Sequence, residues 1–459
     1  MKSRSLSASI LSIALPIMLQ SCATTLVGLL DNLRVGRLGS AAISAVAIVN
    51  QILSVYTFCV TGIAAGAGVL GAQYYGSGDI RGTRCCFRVR LLLCGGITLL
   101  FIPFLLACGG RLIDLFLLGE GEAEQAAETY ALALNYLRVR LTGLFLIAAV
   151  SCYAGALRET GHAVIPMKAA FAAVLVNAVL NWILIFGPGP FPAFGVIGAA
   201  AATVAAETVE LAFILLSVHL PKKRNGYPFA SGILRSERMP DGIAVLVIRK
   251  SFPLTANQLM WSIGGVVLNQ QYSLCSLDAT TAMNIAGTFW NFFATVFLAL
   301  GSAAGILVGQ TLGGGDTEEA KRMASRCLHL TVVIGTLSGA VFACLSVLIP
   351  KIYNIPDDVR TMTTGIILIQ SLFMHAVGLT QTGYAVLRAG GKTALPFLID
   401  IVCVWILSVP LAALQVRLGV GLIPLYFICQ AVEWMKNAAV IFLVRKGLWA
   451  RRIVSEIAE

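Results

Sequence analysis

The chain has 459 residues, 58% of them hydrophobic and only 12% charged, with a mean hydropathy of +0.85. Soluble domains carry about 25% charged residues, so a water-soluble globular protein is excluded. The net charge of +11 comes from basic residues in short loops between apolar runs, which excludes a nucleic-acid-binding face, and the 12 cysteines show neither zinc spacing nor a disulfide framework. The first element, Ser9–Leu30, has 22 residues without a formal charge. As a helix it spans roughly 33 Å, about one bilayer core. Pro16 interrupts it, and Gln20, Ser21, Thr24 and Thr25 make it more polar than a passive anchor needs. Such a helix is expected to face other helices or a cavity. The run Asp31-Asn32-Leu33-Arg34-Val35-Gly36-Arg37-Leu38-Gly39 closes it.

Further apolar spans follow at 43–73, 88–108, 129–153, 164–187 and 195–219, then at 244–272, 280–309, 327–349, 361–387, 394–416 and 419–445. With the first at 9–33, that makes twelve. No segment alternates with period two, so the spans are helices and not strands of a barrel. The fold class is all-α: a polytopic membrane protein of twelve transmembrane helices. A connection at 221–243, with Lys222, Lys223, Arg224, Arg235 and Arg238, separates a lobe at 1–220 from one at 244–459.

The two parts repeat. Shifted by 237 residues, Pro16 falls on Pro253, Gln73 on Gln310, Gly76 on Gly313 and Asp79 on Asp316. Gly66–Asp79 and Ala303–Asp316 are identical at 7 of 14 positions without a gap. Later the offset is 230, and Leu157-Arg158, Gly161 and Pro166 meet Leu387-Arg388, Gly391 and Pro396. Six spans per repeat is an even number, so both lobes keep one topology around an axis along the membrane normal. Basic residues orient the chain: 24 of the 33 Lys and Arg lie on the side of the N-terminus, the even-numbered loops and the C-terminus. That side is predicted to be cytoplasmic, in the cell inner membrane.

The candidate chemistry lies where the repeat breaks. Asp31 maps onto Leu268, so this acid exists in the first repeat only. Spans 5 and 6 add Asn177, Asn181 and Thr203, with the two asparagines four apart on one helical face. Such oxygens suit a hard cation such as Na⁺, and a desolvated carboxylate exchanges a proton near neutral pH. The same residues could also do no more than tie helices together, with Asp31 paired to Arg34. Other charges inside spans read as structural pairs. Arg138 and Arg140 in span 4 lie within reach of Glu207 and Glu210 in span 6, and Asp400 in span 11 lies near Glu433 and Lys436 in span 12.

Taken together, these segments resemble the multidrug and toxic compound extrusion (MATE) transporters, in particular their DinF-like branch. The resemblance is carried by Ala14-Leu15-Pro16, the Asp31 run, Asn50-Gln51, Gln73-Tyr74-Tyr75-Gly76-Ser77-Gly78-Asp79 and Leu157-Arg158 with Gly161. It continues through Asn177, Asn181 and Ile185-Phe186-Gly187, then Gly198 to Thr203 and Leu387-Arg388-Ala389-Gly390-Gly391. It implies a secondary active antiporter that expels amphipathic or cationic small molecules by alternating access, coupled to H⁺ or Na⁺. Asp31 matches the coupling acid of the first helix, and Asn177 and Thr203 match oxygen donors beside it. Asn181 stands where archaeal relatives have Asp. Gln51, Asn257 and Gln258 are placed at the substrate cavity, Gln258 where many relatives have Glu. The resemblance implies no enzyme activity, no cofactor, no metal beyond Na⁺ at Asp31, membrane lipid as surroundings and a monomer. Two alternatives are a lipid-linked saccharide flippase of the same superfamily and a membrane-embedded polyprenyl transferase. The first usually adds spans or a cationic cavity, and the second needs Asp-rich metal motifs that the chain does not show.

Overall fold

The computed structural model describes residues 6–117, 123–187, 192–220, 227, 229–230, 242–353 and 355–457. Among these there is no strand, as expected where every backbone polar group must be satisfied within its own segment. The elements are α1 (Leu6–Gly36), α2 (Ser40–Gly76), α3 (Ile80–Leu117), α4 (Ala123–Leu141), α5 (Leu144–Glu159), α6 (Val164–Phe186) and α7 (Gly195–His219). They continue with α8 (Ile243–Ser273), α9 (Leu277–Gly313), α10 (Thr317–Leu345), α11 (Asp357–Ala389), α12 (Ala394–Asp400), α13 (Val409–Arg417) and α14 (Leu422–Lys446). Each predicted span coincides with a helix or a broken helix. Among the described residues, ten helices are long and apolar enough to cross a membrane, and the bent pair α4–α5 makes an eleventh. The remaining one, α8, is 31 residues long, and Pro253, Asn257 and Gln258 dilute its hydropathy.

Two predicted spans are broken. Span 4 is α4 and α5, bent by 48° at Thr142-Gly143. A Cβ on Gly143 would stand 2.5 Å from Glu207 Oε2 and 3.1 Å from Val204 Cγ2, so glycine lets α7 lie against the break with these side chains in place. Span 11 is α12 and α13 joined by a π-helical stretch, Ile401–Ser408. Pro410 follows it in the first turn of α13. Proline offers no N–H to the preceding turn and crowds it, and a wider π turn absorbs both effects.

The chain forms two compact units. The N-unit holds Leu19–Gly71 and Ile80–Ser251; the C-unit holds Met1–Met18, Ala72–Asp79 and Phe252–Glu459. In the N-unit, Tyr56 is fully buried; its hydroxyl donates to the Leu144 carbonyl at 2.7 Å and is hydrogen-bonded to the Thr98 hydroxyl at 2.7 Å. The connection after α7 enters this core: Phe229 packs edge-on against Phe87 at 5.0 Å, and Tyr227 against His162 at 5.0 Å. In the C-unit, α11 packs on α9, α10 and α14. There the end of α2 meets the end of α9 reciprocally: a Cβ on Gly76 would strike the Gln310 backbone, and one on Gly313 the Gln73 backbone. Leu100, Leu106, Leu175 and Phe252 project outward, 64–72% exposed, as a lipid-facing surface requires.

Candidate functional site: an acid and two amides in the N-unit

Asp31 stands near the end of α1, where the apolar run gives out, and the structure brings it to α6. Asn177 and Asn181 are both buried on the inner face of α6, as their spacing of four predicts. Asn181 Nδ2 donates to Asp31 Oδ1 at 2.6 Å and to Asn177 Oδ1 at 2.8 Å. The end of the Asn177 amide that receives this bond is itself 3.0 and 3.3 Å from the two carboxylate oxygens of Asp31. Asn181 Oδ1 is buried without a partner. Arg34, one turn along α1, approaches Asp31 Oδ1 at 4.0 Å, with both side chains one-quarter exposed.

A cavity of about 200 Å³ opens beside this cluster, lined by Gly28, Asp31, Val35, Val46, Asn50, Tyr136, Arg140, Ala199 and Thr203. Thr203 therefore reaches the cavity, while its hydroxyl donates to Ala199 O at 2.9 Å. Gln51 is exposed and not among the lining residues; Asn50, its neighbour, supplies the amide. Arg140 Nη1 donates to Glu207 Oε1 at 2.9 Å, one of the ion pairs proposed between spans 4 and 6. Arg138 is exposed on the same helix, outside that pair. Glu210 instead has Arg158 as its attractive partner, and Arg158 Nη2 donates to Gln20 Oε1 at 2.7 Å.

The C-unit assembles the second set of charges into a network on four helices. Asp400, at the end of α12, accepts from Asn257 Nδ2 (2.8 Å) and the Tyr384 hydroxyl (2.9 Å), with Lys436 Nζ at 3.4 Å. Lys436 also donates to Glu433 (2.7 Å), and Glu433 accepts from Thr380 (3.2 Å). Asn257 thus binds protein groups, accepting from Arg388 at 3.3 Å, while Gln258 beside it is half-buried. Under the offsets of the repeat, Gln20 corresponds to Asn257 and Arg158 to Arg388, so each unit carries one amide–guanidinium pair at the equivalent place.

Sequence reasoning missed Arg90–Glu159. It counted Arg90 with the loop charges, yet the side chain is 1% exposed inside the N-unit and meets Glu159 at 2.6 Å. Gly68, Gly71 and Gly155 surround the pair, and a Cβ on any of them would come within 2.5–2.6 Å of it.

Apolar spanning helices around a small, charged, amide-lined cavity define a multi-pass membrane transporter. The family comparison names the kind. The MatE family model matches residues 16–183 and 253–414, and the chain belongs to this family of multidrug efflux transporters, which are not enzymes. Among curated relatives, a probable multidrug resistance protein YoeA of Bacillus subtilis is 25% identical over 402 residues, covering 86% of this chain and 84% of the relative. A probable multidrug resistance protein NorM of Thermotoga maritima is 22% identical over 97% of this chain and 93% of its own. The fold matches an outward-facing multidrug resistance MATE transporter at TM-score 0.85, with 20% identity over 99% of this chain and 97% of that one. It also matches a MATE in the bent conformation at TM-score 0.82, with 20% identity over 96% of this chain and 97% of that one.

Proposed function

We propose that the protein is a proton-coupled antiporter for amphipathic or cationic small molecules, with Asp31 as the residue that carries the proton. The carrying observation is the amide arrangement around Asp31. As placed, Asn177 presents its oxygen to both Asp31 and Asn181 Nδ2. If Asp31 were a carboxylate, oxygen would face oxygen at 3.0 Å. Turning the Asn177 amide over does not help, because it sets two donor nitrogens 2.8 Å apart. A proton on Asp31 relieves this: the acid O–H donates to Asn177 Oδ1, which also accepts from Asn181, and a Na⁺ ion between the same oxygens is the competing occupant that the gradient experiment below separates. When the proton leaves, the amides must rearrange, and a full charge appears on the cavity wall. That is enough to bias two helix arrangements separated by a few kcal/mol.

Substrate and proton exclude each other because they favour opposite charge states of Asp31. The basic loops support placing both termini in the cytoplasm of a cell whose inner membrane holds the protein. Efflux from vesicles with pH and Na⁺ gradients imposed separately tests the coupling. A pH gradient alone is expected to drive transport; transport driven by Na⁺ alone would overturn the assignment. Asp31→Asn should abolish gradient-driven efflux while the protein remains folded. Asn181→Asp should keep transport and shift its pH or Na⁺ dependence, since it adds a second acid at 2.6 Å from Asp31.

A further inference from the structure

Building on the coupling role of Asp31, we propose that Arg140 is its mobile counter-ion: Glu207 holds it while Asp31 is protonated, and it turns to Asp31 when the proton leaves. Arg140 and Asp31 line the same cavity of about 200 Å³, and Glu207 forms the opposite anchor of the guanidinium. The anchor is partial. Arg140 grips Glu207 through a single Nη1–Oε1 bond, while Arg140 Nε and Glu207 Oε2 are buried without hydrogen bonds. A bidentate fork would satisfy Glu207 Oε2 as well, and the pair does not form one. The backbone also permits motion, since Arg140 lies in the last turn of α4, next to the 48° break before α5. Gly143 at that break is what gives Glu207 Oε2 its room.

Charge supplies the driving force. While Asp31 is neutral, Arg140 and Glu207 cancel. Deprotonation creates a second carboxylate on the cavity wall with one guanidinium to share. The other groups facing Asp31 do not substitute for Arg140. Arg34 sits on α1 itself at 4.0 Å, with its Nη1 buried and without a hydrogen bond, so it is a fixed charge beside Asp31 in both states and not one that exchanges partners. Tyr136, on α4, is the remaining titratable group on the cavity wall among the described residues, and it lies within electrostatic range of Asp31, Arg140 and Glu207 alike. From α7, Glu210 lies one turn beyond Glu207 and is attracted by Arg158. Helices α2 and α6 bring Asn50, Asn177 and Asn181, none of them charged.

The test is the pH midpoint of ethidium efflux from proteoliposomes. Arg140→Gln removes the cation that stabilises ionised Asp31, so the midpoint should rise by about one pH unit, a tenfold change in proton concentration. Glu207→Gln releases Arg140 to Asp31 permanently, so the midpoint should fall by a similar amount. The double variant Arg140→Gln/Glu207→Gln leaves no uncompensated buried charge; it should fold and titrate like Arg140→Gln. Unchanged midpoints in well-folded single and double variants, or shifts of the two singles in one direction, would reduce the pair to a staple and overturn the proposal. Asp31→Asn distinguishes the two levels. Loss of the pH-driven component there upholds the coupling reading whatever Arg140 does; its persistence removes that reading and this proposal together.

Discussion

At the scale of single residues, two kinds of charge stand inside the helices: those proposed to couple transport, and those that hold the fold. Arg90 and Glu159 belong to the second kind: the guanidinium also donates to Cys152 O at 3.2 Å, and three glycines close over the pair. Breaking one partner of a buried ion pair costs about 3–5 kcal/mol, because the survivor is an uncompensated charge. Glu159→Gln should therefore lower the melting temperature in detergent sharply, and Arg90→Gln/Glu159→Gln should recover most of the loss. Simple additivity of the two single losses would show that the groups do not interact. Gly68→Ala should resemble Glu159→Gln, since its Cβ would stand 2.6 Å from Glu159 Oε1.

At the scale of elements, the repeat becomes a contact. Gln73 and Gly76 on α2 correspond to Gln310 and Gly313 on α9, and each glycine accepts the backbone opposite the other's glutamine. Gln73 is wholly buried there; its Nε2 donates to Ala389 O at 2.8 Å, and its Oε1 accepts from Ile453 N at 2.8 Å. Backbone cannot yield to an added methyl as a side-chain tip can. Gly76→Ala or Gly313→Ala should each destabilise the protein by about 1–3 kcal/mol, read as a fall in melting temperature. Gly95→Ala in α3, where nothing lies within 4 Å, should be neutral or stabilise by up to about 1 kcal/mol through helix propensity. Equal effects at Gly95 and Gly76 would refute the close crossing. The breaks in span 4 and span 11 belong to this scale too. Each passes a hydropathy test, since neither glycine nor proline interrupts an apolar run enough to look like its end.

At the scale of the whole molecule, twelve membrane crossings follow from composition alone, while their orientation rests on the basic loops. Single cysteines at Gly226 and Gly189, in a background without the native thiols, report it. The exposed Cys344 makes that background necessary. Position 226 should resist membrane-impermeant reagents in intact cells and position 189 should react; labelling of 226 from outside would reverse the topology. What the sequence by itself determined is therefore the class of protein, its spans, its repeat and the acid that breaks the repeat. These are one-dimensional quantities, because transfer free energy depends on local composition and the repeat on residue order. The α6 amides were legible for the same reason, as a spacing of four. Tertiary structure decided the partners. Arg140 and not Arg138 takes Glu207, Asn50 and not Gln51 lines the cavity, and Arg90, on α3, turns into a glycine-walled interior. Those choices turn on one-residue differences in facing and on packing between segments 60 or more positions apart in the chain, and local sequence carries no record of either.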